Sequence, residues 1–185
     1  MRWLGLIILL ATAAASCSPH QVQLDLQAPA TRHDEPAGFE TAIVREVIDG
    51  DTLTVELVAV TDGPGAGATQ AGDRYDVRLL GIDTPESVDP SSEVECFGPE
   101  AAAATDALLA GSEIVMVRDT EDVDRYGRLL RYVYFGSEMA NARLLVNGYA
   151  RTLIYEPNLR HASMFEELEN RARSSGRGLW APDIC

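Results

Sequence analysis

Apolar positions recur with the two-residue period of a β-strand early in the folded part of the chain. Residues 41–48 are rich in β-branched side chains, and residues 52–57 alternate between apolar and polar. The inward-facing residues of the second segment are Leu53, Val55 and Leu57. Asp49-Gly50, between the two segments, is typical of a two-residue hairpin turn. The pattern therefore predicts an antiparallel pair of strands.

The rest of the chain adds three strands and three helices. The predicted strands are residues 75–83, 113–117 and 129–135, and the predicted helices are residues 98–109, 138–146 and 160–174. Glycines at 111, 148 and 176 end the helices. Residues 61–73 are rich in glycine, match no nucleotide-binding fingerprint and predict a flexible loop. This order favours one α+β, mainly β domain, a five-stranded OB-fold barrel with about three packed helices.

The first 16 residues are not part of that domain. A secretory signal is predicted from the positive start Met1-Arg2, the apolar run and the small residues that end it. A permanent membrane anchor is the weaker interpretation, because the run is shorter than the about 20 apolar residues of a membrane span. Residues 14–17 (A-A-S-C) resemble a bacterial lipobox, in which Cys17 is lipidated and begins the mature protein. Cleavage nearby and free secretion is the alternative. Residues 17–40 lack periodicity and predict a flexible tether, which leaves 41–185 as the folded domain.

Cysteine usage agrees with export. If Cys17 carries lipid, Cys96 and Cys185 remain as an even pair, and joining them would staple the C-terminus to the loop that follows residue 86. No CxxC or Cys/His cluster indicates zinc.

The chain is strongly acidic. Its net charge of −14 disfavours a protein that holds polyanions on a broad basic surface. A local basic site within an acidic shell and a surface suited to saline surroundings both remain open.

Charged and polar side chains lie at the ends of the predicted strands. Each of them, taken alone, could simply be a turn residue, a capping residue or a residue at an exposed strand end. Strict alternation from Arg78 places Asp83 on the opposite face, unless Gly81 introduces a bulge or the strand ends before Asp83. The residues in question are Asp51, Arg78, Asp83, Thr84, Glu86, the run 124–128 (D-R-Y-G-R) and Tyr155.

Together these residue types supply what phosphodiester hydrolysis requires. Asp51 and Asp83, with a threonine carbonyl and water, form an oxygen site for a hard cation such as calcium. Arg78 and Arg128 are planar forks that suit phosphate oxygens. A cation and two arginines would stabilise the negative charge of the transition state, and Glu86 would accept a proton from water.

Several motifs, in this order along the chain, resemble the staphylococcal nuclease, or thermonuclease, family. They are V-I-D-G-D-T-L-T-V (47–55), V-R-L-L-G-I-D-T-P-E (77–86), F-G-P-E-A (97–101), D-R-Y-G-R (124–128) and G-R-G-L-W (176–180). The resemblance extends from residue 41 to residue 180. It implies an OB-fold enzyme, expected to be a monomer, that cuts DNA and RNA with calcium.

The resemblance also assigns roles by position. Two aspartates and a threonine carbonyl bind calcium in the family, and the matching residues are Asp51, Asp83 and Thr84. The general base and the two phosphate-binding arginines are matched by Glu86, Arg78 and Arg128. Positions beside the bound nucleotide are matched by Arg125, Tyr126 and Tyr155.

Some features depart from the family pattern. Loop 61–73 is longer than expected, and residues 148–157 are one residue shorter, so a second family tyrosine has no clear counterpart. The family's prototype is basic, whereas this chain is acidic. The leading interpretation is a calcium-dependent, lipid-anchored extracytoplasmic nuclease. The alternatives are a catalytically silent OB module that binds nucleic acid or protein and a structural envelope lipoprotein, but neither explains why the two aspartates, two arginines and glutamate are all present.

Overall fold

The computed structural model describes residues 22, 24, 32–87 and 94–184. The predicted signal, Cys17, most of the tether and Cys185 lie outside these residues. Within the described part of the chain, none of the helices combines the length and apolar character that crossing a bilayer requires.

The described residues contain eight strands and three α-helices. The strands are β1 (Phe39–Asp49), β2 (Thr52–Thr61), β3 (Arg74–Leu79), β4 (Ile82–Asp83), β5 (Glu113–Val117), β6 (Leu129–Phe135), β7 (Glu138–Met139) and β8 (Arg151–Thr152). The helices are α1 (Gly98–Leu109), α2 (Ala140–Val146) and α3 (Ala162–Ser174), with short 3-10 turns at Arg32–Asp34 and Gly178–Trp180.

Five strands close into a barrel. They pair in the order β3-β2-β1-β5-β6, and β6 then pairs in parallel with β3, whereas the other four pairings are antiparallel. Leu53, Val55 and Leu57 are buried in its core, as the alternation predicts. The α+β, mainly β OB-fold barrel with three helices is therefore confirmed.

The predicted strand at residues 75–83 is divided by a turn. β3 ends at Leu79, and β4 pairs with β8 instead of continuing in the barrel. Gly81 between them has φ +75°, and a Cβ there would lie 2.5 Å from the ring of Phe165. This turn brings Asp83 back to Arg78 and resolves the alternation conflict.

Other boundaries also differ from the prediction. β2 extends to Thr61 because β1 begins at Phe39 and pairs with it. Helix α2 begins at Ala140, two residues late, since Glu138–Met139 forms strand β7 against β6. Helix α3 begins at Ala162 rather than at residue 160.

The last part of the predicted tether packs against the barrel. The side chain of Glu35 is 2% exposed, and it contacts Tyr134 Oη, His161 Nε2 and Arg160 Nη1. These hydrogen bonds and charges hold the pKa of Glu35 below its ordinary value even though burial raises it. Periodicity did not reveal this packing because polar side chains make the contacts.

The glycine-rich loop predicted to be flexible is hydrogen-bonded to the barrel at its middle. Gly67 N donates to Glu40 Oε1 at 3.1 Å, and Thr69 Oγ1 donates to the same oxygen at 2.8 Å. Ala68 N donates to Asp122 Oδ2 at 2.9 Å. The loop is attached here because the buried carboxylate of Glu40 and the half-buried carboxylate of Asp122 require hydrogen-bond donors.

Cys96 is disulfide-bonded, and its Sγ lies 3.4 Å from the carbonyl oxygen of Ile184. This contact brings the end of the described chain to the loop before α1. Cys185 lies outside the described residues, so the pairing of Cys96 with Cys185 stays a prediction.

Candidate active site

Arg78 brings the two predicted metal-binding aspartates together. Its Nη2 lies 3.1 Å from Asp51 Oδ2 and 3.0 Å from Asp83 Oδ1. Its Nη1 donates to the carbonyl oxygens of Leu79 at 2.9 Å and Ile82 at 2.7 Å. These bonds fix the guanidinium at the turn between β3 and β4.

Asp51 is buried and held by the residues around it. Thr84 donates to Asp51 Oδ2 from its backbone N at 3.0 Å and from Oγ1 at 3.3 Å. Thr52 Oγ1 donates to Asp51 Oδ1 at 3.0 Å. The predicted residues Asp51, Asp83 and Thr84 therefore form one cluster with Arg78.

Two like charges are kept close in this cluster. Burial raises the pKa of Asp83, and the neighbouring Asp51 raises it further, although Arg78 acts in the opposite direction. No group of three or more His, Cys, Asp or Glu side chains suited to a metal occurs among the described residues. A cation here would be held by two carboxylates, the Thr84 carbonyl and water. Such an all-oxygen set fits a hard cation such as calcium.

Glu86 contacts a carboxyl group to which the sequence analysis gave no role. Its side chain is hydrogen-bonded to Asp49, which is 7% exposed. Asp49 Oδ1 also accepts from Ser87 Oγ at 2.5 Å and from Gly50 N at 2.8 Å. The pKa of Asp49 is raised to about 6, because burial and, to a smaller extent, Glu86 raise it more than the two hydrogen bonds lower it. The D-G-D repeat was the only signal, and it predicted Asp49 as a turn residue, whereas Asp49 is the last residue of β1 and the turn residues are Gly50 and Asp51.

A cleft of about 520 Å³ opens on the other side of Arg78. It is lined by five of the predicted residues: Arg78, Arg125, Tyr126, Arg128 and Tyr155. The two tyrosines are 69% and 67% exposed, so their rings are accessible to a base. Exposed aromatic rings beside arginines suit stacking on a nucleotide and binding of its phosphate.

Asp124 orients the second arginine of the cleft. Its Oδ2 accepts from Arg128 Nε at 2.8 Å, and its Oδ1 accepts from the backbone N of both Arg128 and Tyr126. These bonds lower the pKa of Asp124 even though burial raises it. The guanidinium carbons of Arg125 and Arg128 lie 4.7 and 5.5 Å from the Tyr126 ring centroid. Asp124 is part of the D-R-Y-G-R motif (124–128), but no role was predicted for it.

Eight of the nine predicted site residues thus form two groups that share Arg78, whereas Glu86 belongs to neither group and contacts Asp49. The first group is the aspartate and threonine cluster, and the second is the arginines and tyrosines of the cleft. Arg128 Nη1 lies 3.4 Å from Thr52 Oγ1, which itself donates to Asp51, so the second arginine reaches the boundary between the groups. A phosphate placed there would meet both arginines.

Known proteins are similar in sequence to most of this domain. Residues 76–182 match the family model described as staphylococcal nuclease homologue. The chain is 33% identical to a thermonuclease of Staphylococcus hyicus over 145 residues, 78% of each chain, and 33% identical to a thermonuclease of Staphylococcus intermedius over 141 residues, 76% of each. It is also 36% identical over 133 residues to the SPbeta prophage-derived endonuclease YokF of Bacillus subtilis (strain 168), covering 71% of this chain and 45% of that protein.

Proposed function

The chain belongs to the staphylococcal nuclease family, and from this premise we propose that it is a calcium-dependent nuclease that cuts DNA and RNA outside the cytoplasm. Its thermonuclease and endonuclease relatives make it a hydrolase of phosphodiester bonds, with nucleic acid as substrate. The observation that carries the finer proposal is the position of Arg78 between the aspartate cluster and the tyrosine-lined cleft.

The cleft binds the nucleotide and the arginines bind the phosphate. Tyr126 and Tyr155 stack on bases, which favours no particular sequence because every base has a π-face. Arg128 donates to the phosphoryl oxygens, and the positive charges of Arg78 and Arg128 together stabilise the negative charge that grows on these oxygens in the transition state. The ion pair with Asp124 fixes the orientation of the Arg128 side chain for this role.

Glu86 removes a proton from the attacking water. Its carboxylate accepts the proton as the water oxygen bonds to phosphorus and the leaving oxygen departs on the opposite side. The hydrogen bond to Asp49 orients the Glu86 side chain.

Asp51, Asp83 and the Thr84 carbonyl are the residues that would hold calcium. The ion, when bound, supplies positive charge that polarises a phosphoryl oxygen. The pairing of two buried or half-buried carboxylates supports this assignment, because such a pair is costly without additional positive charge.

Cleavage of single-stranded DNA and RNA by the purified protein tests the proposal. We expect cleavage with calcium and none with a chelator. Replacement of Arg128 by alanine should lower kcat/KM about 10²- to 10³-fold, because the phosphoryl charge loses a donor. The matched control is Arg45→Ala, since Arg45 is an exposed barrel arginine paired with Glu56.

Each result separates the proposal from its alternatives. Equal cleavage with and without chelator would exclude calcium as the cofactor. A folded protein that binds strands without cutting them would be a silent OB module. Full activity in the Arg128→Ala protein would remove that residue from the catalytic set.

The proposed location rests on the lipobox-like sequence at Cys17. We expect the native protein to sediment with bacterial membranes and a Cys17→Ser protein to lose its lipid and leave the membrane fraction. Cys96→Ser is the control, because that cysteine belongs to the folded domain. Unchanged membrane association of Cys17→Ser would contradict lipid anchoring at this residue.

A further inference from the structure

A buried ion pair connects two strands of the barrel that are far apart in sequence and not adjacent in the sheet. Arg131 on β6 and Glu40 on β1 are both fully buried, and Nε–Oε2 and Nη2–Oε1 distances of 2.5 and 2.8 Å join them. Arg131 also donates to Asp122, from Nη2 to Oδ1 at 2.7 Å and from Nη1 to the backbone oxygen at 2.9 Å. With a further bond from Nη1 to Leu130 O, the whole guanidinium is satisfied.

The loop 62–73 covers this network and completes it. Its residues 67 and 69 donate to Glu40, and Ala68 donates to Asp122 Oδ2. The close approach requires glycine at 67, since a Cβ there would lie 2.0 Å from Arg131 Nη2 and 2.2 Å from Asp122 Oδ1. The loop backbone therefore lies directly against the contact between Asp122 and Arg131.

Asp122 lies at the base of the hairpin that carries the cleft arginines. Its backbone oxygen accepts from Leu130 N at 2.9 Å, and Val123 pairs with Leu129. Beyond them, Asp124 N donates to Arg128 O at 2.9 Å, and the Asp124 carboxylate holds Arg128 Nε. A continuous set of hydrogen bonds thus leads from loop 62–73 through Asp122 to Arg128.

We propose that Asp122, held between Arg131 and the backbone of loop 62–73, is a positioning residue that sets the place of Arg128 in the reaction. The inference rests on the proposed function, because it assigns Arg128 to the phosphate. Asp122 does not line the cleft. It acts by fixing the base of the hairpin, so that Arg128 keeps its distance from the phosphoryl group.

A double-mutant cycle tests this role. Asp122→Asn retains the shape of the side chain but turns an amide N–H toward either Arg131 or Ala68, both of which are donors. We expect kcat to fall about 10- to 100-fold, the size of effect that displacement of a catalytic group by roughly an ångström causes. In an Arg128→Ala background the same substitution should change kcat by less than about threefold, because the residue it positions is gone.

Assays should run well below the unfolding temperature of each variant. Glu138→Gln is the matched control, since it removes a carboxylate from an ion pair with Arg143 away from the cleft and should leave kcat unchanged. If Asp122→Asn does not fold, Thr69→Val weakens the same network from the loop side and should lower kcat about two- to fivefold, only when Arg128 is present.

The outcomes distinguish this inference from the proposed function. Equal fold-losses for Asp122→Asn with and without Arg128 would overturn the positioning role while leaving the nuclease assignment intact. Unchanged kcat in the wild-type background would overturn it as well. No cleavage by the wild-type protein, or full activity of Arg128→Ala, would overturn the proposed function and this inference with it.

Discussion

Replacement of Glu86 by glutamine should lower kcat for phosphodiester cleavage about 10²- to 10⁴-fold, the usual contribution of a positioned general base. The amide keeps the size of the side chain and can still hydrogen-bond to Asp49, but it cannot accept a proton from water. Glu86 is half-buried, so the unfolding temperature should change little. Cleavage rates at saturating calcium and oligonucleotide measure the effect.

Glu113→Gln is the matched control for this variant, because it makes the same chemical change at an exposed position at the start of β5. A drop in kcat/KM caused by KM alone would assign Glu86 to substrate binding rather than to proton transfer. Turnover within about threefold of the wild type would remove Glu86 as the base and direct attention to its partner Asp49.

Local pattern was sufficient to predict most of the fold. Alternation placed Leu53, Val55 and Leu57 in the core, and glycines marked the helix ends because each permits the backbone to leave the helix. The β3–β4 turn was harder to predict. Its Gly81 lies against Phe165 of α3, and a contact across that separation in sequence has no local signal.

The candidate site was found from motifs rather than from periodicity. The structure brings Arg78, Asp51, Asp83 and Thr84 together as the analysis expected, but the hydrogen bond between Asp49 and Glu86 was not foreseen. It depends on the path of the chain between the hairpin turn and residue 86. The sequence pattern of neither segment indicates how the chain runs between them.

The buried ion pair was the other feature that could not be predicted from the sequence. Glu40 and Arg131 lie 91 residues apart, and a sequence pattern assigns both to solvent because charged side chains are seldom fully buried. Lack of periodicity predicted a tether that included Glu40, and glycine content predicted a flexible loop at residues 61–73. Their true positions follow from the requirement that each buried charge be paired.

Replacement of Arg131 by methionine should destabilise the protein by about 3–5 kcal/mol, because it leaves Glu40 buried without its partner. The Glu40 side chain is fully buried and would keep only its hydrogen bonds from Gly67 and Thr69. The free energy of unfolding in urea, with the disulfide intact, measures the change. Arg45→Met is the control, because that arginine is exposed and its pair with Glu56 should contribute at most about 1 kcal/mol.

The double variant Glu40→Gln/Arg131→Met distinguishes two causes of the lost stability: the loss of the ion pair itself and the burial of an unpaired Glu40 charge. The glutamine oxygen can still accept from Gly67 and Thr69, and no unpaired charge remains in the core, so the double variant should be more stable than Arg131→Met alone. If the two substitutions simply add, the cost arises from packing of the arginine side chain rather than from Glu40. A recovery of stability would show that the barrel tolerates the loss of the pair but not of one partner. Glu40 and Arg131 would then serve to hold Asp122 and loop 62–73 in place more than to stabilise the fold.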